Sequence, residues 1–177
     1  MRILSIMGLL SFLLGCGQPE RSTPIVSVDL SRFSIAGTEV GKPISADSPF
    51  ARELLADKIY APQGKGLELG ANGKSLEYAV VSLDEFDGTF AVDGNPVSLD
   101  TTTTEPDVRQ RFGDPYWVNR EDGEVILFYE YQGGDIEVQY EFPDGVKLGY
   151  ITISRAGVLS NAEQRKHYGV DKPWPPQ

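Results

Sequence analysis

Hydrophobic and polar residues alternate most cleanly near the end of the chain. Ile136, Val138, Tyr140 and Phe142 interleave with Asp135, Glu137, Gln139 and Glu141. A period of two predicts a strand with one buried face and one wet, acidic face. Residues 125–131 are apolar on both faces and predict a second strand. Residues 148–154, with Leu148 and Tyr150 opposing Ile151 and Ile153, predict a third. Gly133-Gly134 and Asp144-Gly145 supply the turns between them. Upstream, Phe90 and Val92, then Val97 and Leu99, flank Asp93-Gly94, the signature of a tight hairpin. A short helix follows. Thr104 suits its N-cap, Pro106 its first turn, Glu105 and Asp107 its positive end and Gly113 its stop. Val108 and Phe112 fall on one face, which should lie against the sheet. So short a helix depends on packing for its stability.

The first half repeats this pattern in weaker form. Phe33, Gly37, Val40, Pro49, Arg52 and Asp57 recur at one spacing as Phe90, Gly94, Val97, Pro106, Arg109 and Asp114. Gly73, Leu76, Tyr78 and Ser82 recur at a larger spacing as Gly145, Leu148, Tyr150 and Ser154. The change of spacing predicts one extra strand and its loop in the middle of the second copy. Strands are expected near 33–35, 39–40, 67–69 and 75–83, with a helix over 48–56. Ser160 with Glu163 forms a capping-box pattern, so a polar helix should run to Tyr168 and stop at Gly169. The fold class is therefore α+β. Two similar units, 27–84 and 85–158, each hold a hairpin, a short helix and an antiparallel meander packed on the helix. A short helix and a Pro-rich tail occupy 159–177.

Composition narrows the function. The chain has 177 residues, 40% of them hydrophobic, a net charge of −10, one cysteine and one histidine. The acidic balance argues against a nucleic-acid partner. A single cysteine leaves no internal disulfide and no clustered-thiolate metal site. That cysteine is informative where it stands. Arg2 is followed by an uncharged apolar run ending in Leu13-Leu14-Gly15-Cys16. The run is too short to span a bilayer and reads as a signal peptide. Its end resembles the lipobox of bacterial lipoproteins. The resemblance implies cleavage between Gly15 and Cys16 and acyl chains on the Cys16 sulfur. Residues 1–15 are then a signal peptide and 16–26 a lipidated tether. Each buried methylene contributes about 0.8 kcal/mol, so several chains anchor stably. Gly17 stands where inner-membrane retention usually shows Asp, which favours the outer membrane, facing the periplasm, in a Gram-negative source.

Signals for catalysis are weak. No G-x-S-x-G or S-x-x-K occurs, and Gly64-Lys65-Gly66 lacks the spacing of a phosphate loop. His167 sits at a polar helix end, where it complements the dipole. Asp84-Glu85-Phe86-Asp87-Gly88 lacks the spaced ligands of a calcium loop. No catalytic residue, metal site or cofactor is expected. The candidate partner surface is the acidic row Asp135, Glu137, Gln139 and Glu141, with Tyr116 and Trp117 as aromatic anchors.

One further likeness covers residues 104–153. Thr104, Val108, Phe112, Gly113 and Pro115, then Tyr129, an alternating strand and a D-G turn resemble the SmpA/OmlA (BamE-like) group of small outer-membrane lipoproteins. The resemblance implies a helix-plus-three-strand module that binds other envelope proteins without catalysis. Three readings follow: a lipid-anchored, protein-binding envelope lipoprotein; a periplasmic immunity protein whose acidic surface plugs a basic secreted toxin; and a carboxylate-dependent enzyme acting on envelope polymers.

Overall fold

The computed structural model describes residues 25–176, so Gly15, Cys16 and the lipobox lie outside the described residues. The fold is α+β, with two sheets and three short helices. The smaller sheet joins β1 (Ser27–Asp29), β2 (Ser34–Ile35), β3 (Thr38–Glu39), β6 (Thr89–Val92) and β7 (Asn95–Val97) in the order β3-β2-β1-β6-β7. Its one parallel pairing, Val28 beside Phe90, ties the first half of the chain to the second. The larger sheet is antiparallel throughout. It holds β4 (Leu67–Asn72), β5 (Ser75–Ser82), β8 (Trp117–Glu121), β9 (Glu124–Tyr131), β10 (Ile136–Phe142) and β11 (Tyr150–Arg155), ordered β4-β5-β11-β10-β9-β8.

The internal likeness survives, in a different form. Hairpin, helix and hairpin occur twice: β2-β3, α1 (Ala51–Leu54), β4-β5, then β6-β7, α2 (Glu105–Phe112), β8-β9. Both first hairpins turn through a residue pair in the left-handed region, Ala36-Gly37 (φ 46° and 79°) and Asp93-Gly94 (φ 51° and 74°). The extra material is not a single strand in the middle of the second copy. It is the pair β10-β11 at its end, which slots between the two outer hairpins. The first half therefore contributes only a hairpin to the common sheet, not a meander of its own. Four strands follow α2, where three were expected. The additional one is β8, joined to β9 by Asp122-Gly123 (φ 53° and 87°). Its residues, Trp-Val-Asn-Arg-Glu, lack alternation because β8 is an edge strand whose far end is solvated. The first helix is shorter than expected, a single turn, because Ser48-Pro49-Phe50 forms a turn ahead of it.

One core runs through both halves. Leu69, Ala79, Ile153, Val138 and Tyr129 form a row across the larger sheet in register. Val28, Ile35, Phe50 and Leu54 pack on the same side. Helix α2 lies on that face as its pattern predicted. Val108 is fully buried, Phe112 stacks on Tyr140 at 5.1 Å, and the Tyr129 hydroxyl donates to the Gly113 carbonyl at 2.7 Å. Thr104 is the N-cap, and its backbone N–H donates to the Asp107 carboxylate at 2.9 Å.

A shared sheet and core make unfolding a single event. Phe50→Ala, in the first half, should lower stability by about 3–5 kcal/mol, and Leu127→Ala, in the second, by about 2–5 kcal/mol. Both should move one common transition in urea, followed by near- and far-UV circular dichroism. Two transitions that respond separately would contradict a common core.

Candidate functional site

The other face of the larger sheet is where the sequence placed a wet acidic surface. The structure puts a cover on it. After β11 the chain turns at Ala156-Gly157, makes a 3-10 turn (Val158–Ser160) and helix α3 (Ala162–His167), and runs back as a strap to residue 176. The helix cap is Asn161, not Ser160: Asn161 Oδ1 accepts from Glu163 N at 2.8 Å. Leu159 is fully buried with Ile126 and Phe128 in a second, smaller apolar cluster. Trp117 Nε1 donates to the Tyr168 carbonyl at 3.0 Å, and the Tyr116 hydroxyl donates to the Pro173 carbonyl at 2.8 Å. Trp174 meets Tyr116 edge to face at 6.0 Å, under the Arg165 guanidinium at 5.1 Å. A Cβ at Gly134 would stand 2.6 Å from the Trp174 ring, so only glycine lets the indole lie down there.

The expected partner surface is thus dismantled. Tyr116 and Trp117 hold the chain's own tail. Glu137 is fully buried and Gln139 is 8% exposed. Glu141 is half-buried; burial pushes its carboxyl up, while the Thr152 hydroxyl donates to it at 3.1 Å. Only Asp135, at the β9–β10 turn, remains exposed. Alternation correctly assigned these residues to the face opposite Tyr140. It could not show that later residues return to cover that face.

Beneath the strap lies an acid pair that sequence reasoning missed. Glu130 on β9 is the in-register neighbour of Glu137 on β10. Glu137 is supplied with donors: Val158 N to Oε1 at 2.9 Å, Leu159 N to Oε2 at 2.9 Å, and the Gln139 amide. A Cβ at Gly157 would overlap the Glu137 side chain, which fixes that close approach. Glu130 has no donor among the described residues, although both its oxygens are buried. Burial first, and the Glu137 carboxylate next, push its carboxyl up to about 9. At neutral pH Glu130 therefore carries a proton and is itself a donor toward Glu137. The signal for this pair was present in the sequence only as Glu130 within an otherwise apolar strand.

No group of three or more acidic, His or Cys side chains is placed to hold a metal ion among the described residues. None of their helices is long and apolar enough to cross a membrane. No protein-family model matches the chain, and no curated protein sequence matches it. Among solved structures the chain is similar to a DUF4309 family protein (YjgB) from Bacillus subtilis. The two share 12% identity over 66% of this chain and 71% of that one, with a TM-score of 0.36. A likeness of that size carries no functional argument.

The acid pair sets a pH dependence. Folded, Glu130 keeps its proton to about 9; unfolded, it releases it near the ordinary glutamate value of about 4.3. Between those values the folded state binds the extra proton, so this group's contribution to stability falls as pH rises and levels off beyond. Glu130→Gln removes that dependence and keeps an N–H donor. Its Tm should exceed that of the unsubstituted protein by a margin that widens from pH 5 to pH 8, read by thermal melts. A constant margin would contradict a proton held by Glu130.

Proposed function

We propose that this is a lipid-anchored protein of a bacterial envelope, facing the periplasm, that works by holding another protein and catalyses nothing. The lipobox carries the anchoring. The observation favouring binding over catalysis is the placement of the acid pair. Glu130 and Glu137 supply the raised pKa that an acid/base enzyme needs. However, both Glu130 oxygens are buried, and the Glu137 oxygens are taken up by the backbone N–H groups of Val158 and Leu159. Such a carboxylate supports the fold and reaches no polymer. The toxin-immunity reading drew on the acidic row, and the strap takes that support away.

With the acidic face covered, the partner surface we favour is the edge of the larger sheet at β8. Among the described residues β8 pairs only with β9. A free edge of this kind can take an added strand through main-chain hydrogen bonds. The opposite edge, β4, is less open, because Tyr60 bridges Leu69 there with bonds of 3.0 and 2.9 Å.

Two measurements test the proposal. Cys16→Ser should move the protein from the membrane fraction to the soluble periplasm and abolish incorporation of labelled palmitate. A variant that still pellets with membranes would overturn the anchor. A photo-crosslinker at Asn119 on β8 should capture one specific envelope protein, whereas one at Asp47, far along the chain in the first half, should not. Equal or absent capture at both positions would overturn the edge as the binding surface.

A further inference from the structure

Beside the strap, the same sheet face opens into a shallow cleft of about 460 Å³. Tyr78, Thr152 and Ser154 lie along its sheet side, and Val158, Asn161 and Gln164 along the strap. Two features set it apart from an ordinary crevice. The first is the Tyr78 ring. A Cβ at Gly70, its partner across the strands, would overlap the ring, so the ring lies down over the β4 backbone. Its hydroxyl is tied to Glu68 at 2.8 Å. The second is Glu77. Pairing runs from Gly70 with Tyr78 to Ala71 with Leu76, so Glu77 is the extra residue of a bulge and lines the cleft together with Tyr78. Its Oε2 is buried and has no hydrogen-bond partner among the described residues.

The other groups around the cleft are of mixed kind. Gln139, 8% exposed, gives its amide N–H to Glu137, which leaves its carbonyl as an acceptor. Asn161 spends its carbonyl on the helix cap, which leaves its NH₂ as a donor. Ser154 and Gln164 can do both, and Arg155 makes no ion pair among the described residues. A charged ligand needs one sign of charge facing it. A ligand with vicinal hydroxyls needs interleaved donors and acceptors and a flat apolar surface for its ring. A buried carboxylate oxygen without a donor is unfavourable, and a ligand hydroxyl would relieve it.

We propose that this cleft binds a saccharide, with a pyranose face on the Tyr78 ring and hydroxyls donating to Glu77 and the Gln139 carbonyl. The site is independent of the lipid anchor and of the β8 edge. The test titrates the full chain, isotope-labelled and held in detergent micelles, with an N-acetylglucosamine tetramer and with maltotetraose. At least one should produce saturable shifts in the backbone amides of Tyr78, Ser154 and Gln164. Tyr78→Leu should weaken that binding about tenfold or more, while Tyr78→Phe, which keeps the ring, should stay within about twofold. Glu77→Ala, at an outward bulge, should weaken it by at least about threefold and provides the reading if Tyr78→Leu does not fold. No shift with either saccharide at millimolar concentration, shifts confined to another surface, or unchanged binding by Tyr78→Leu or Glu77→Ala would each overturn the site.

Discussion

A carboxylate with no solvent exposure survives in a fold only if donors surround it, and Glu137 is such a carboxylate. Its donors come from Val158 and Leu159, 21 and 22 residues further on, and from Gln139 beside it. That requirement brings the chain back across the sheet after β11. The small apolar cluster around Leu159, the aromatic ties of Tyr116 and Trp117, and the seat of Trp174 on Gly134 all depend on the return. The strap is therefore a third layer of the structure over the β8–β9–β10 part of the sheet, and the β5–β11 part beside it stays open as the cleft.

The same constraint explains the odd chemistry under the strap. Two carboxylates in register on adjacent strands cannot both be charged when buried. Glu130 resolves the conflict by keeping its proton, and it then complements Glu137 instead of opposing it. A raised carboxyl pKa is often a mark of catalysis. In this protein it follows from packing, because the Glu130 oxygens are buried beside the Glu137 carboxylate. The open polar cleft lies next to the pair, where Glu77 and Tyr78 sit on the bulged strand.

The two halves show how a repeated pattern need not give two bodies. Each copy supplies a left-handed turn pair, a short helix and a hairpin. Neither hairpin has enough sheet to bury its apolar face alone. Both are completed by β10 and β11, and the parallel contact of β1 with β6 joins the smaller sheet in the same way. The core is thus a property of the pair.

Local chemistry was legible in the residues. Asp93-Gly94 fixed its hairpin because that turn needs positive φ, and Thr104 with Pro106 and Gly113 marked the bounds of α2. Alternation sorted Ile136 through Phe142 correctly between two faces, since a strand's period leaves no freedom in that choice. Signals of this kind act over a few neighbours and survive any tertiary setting. Whether a face is wet is a different matter. The acid at 137 and the amide at 139 read as solvated because polar side chains usually are, and burial depends on what arrives from elsewhere in the chain. The order of strands, the place of β8 at an edge, and the closing of the strap over Glu137 are long-range pairings. Their free energy exists only once both partners are in place, so no local pattern records them.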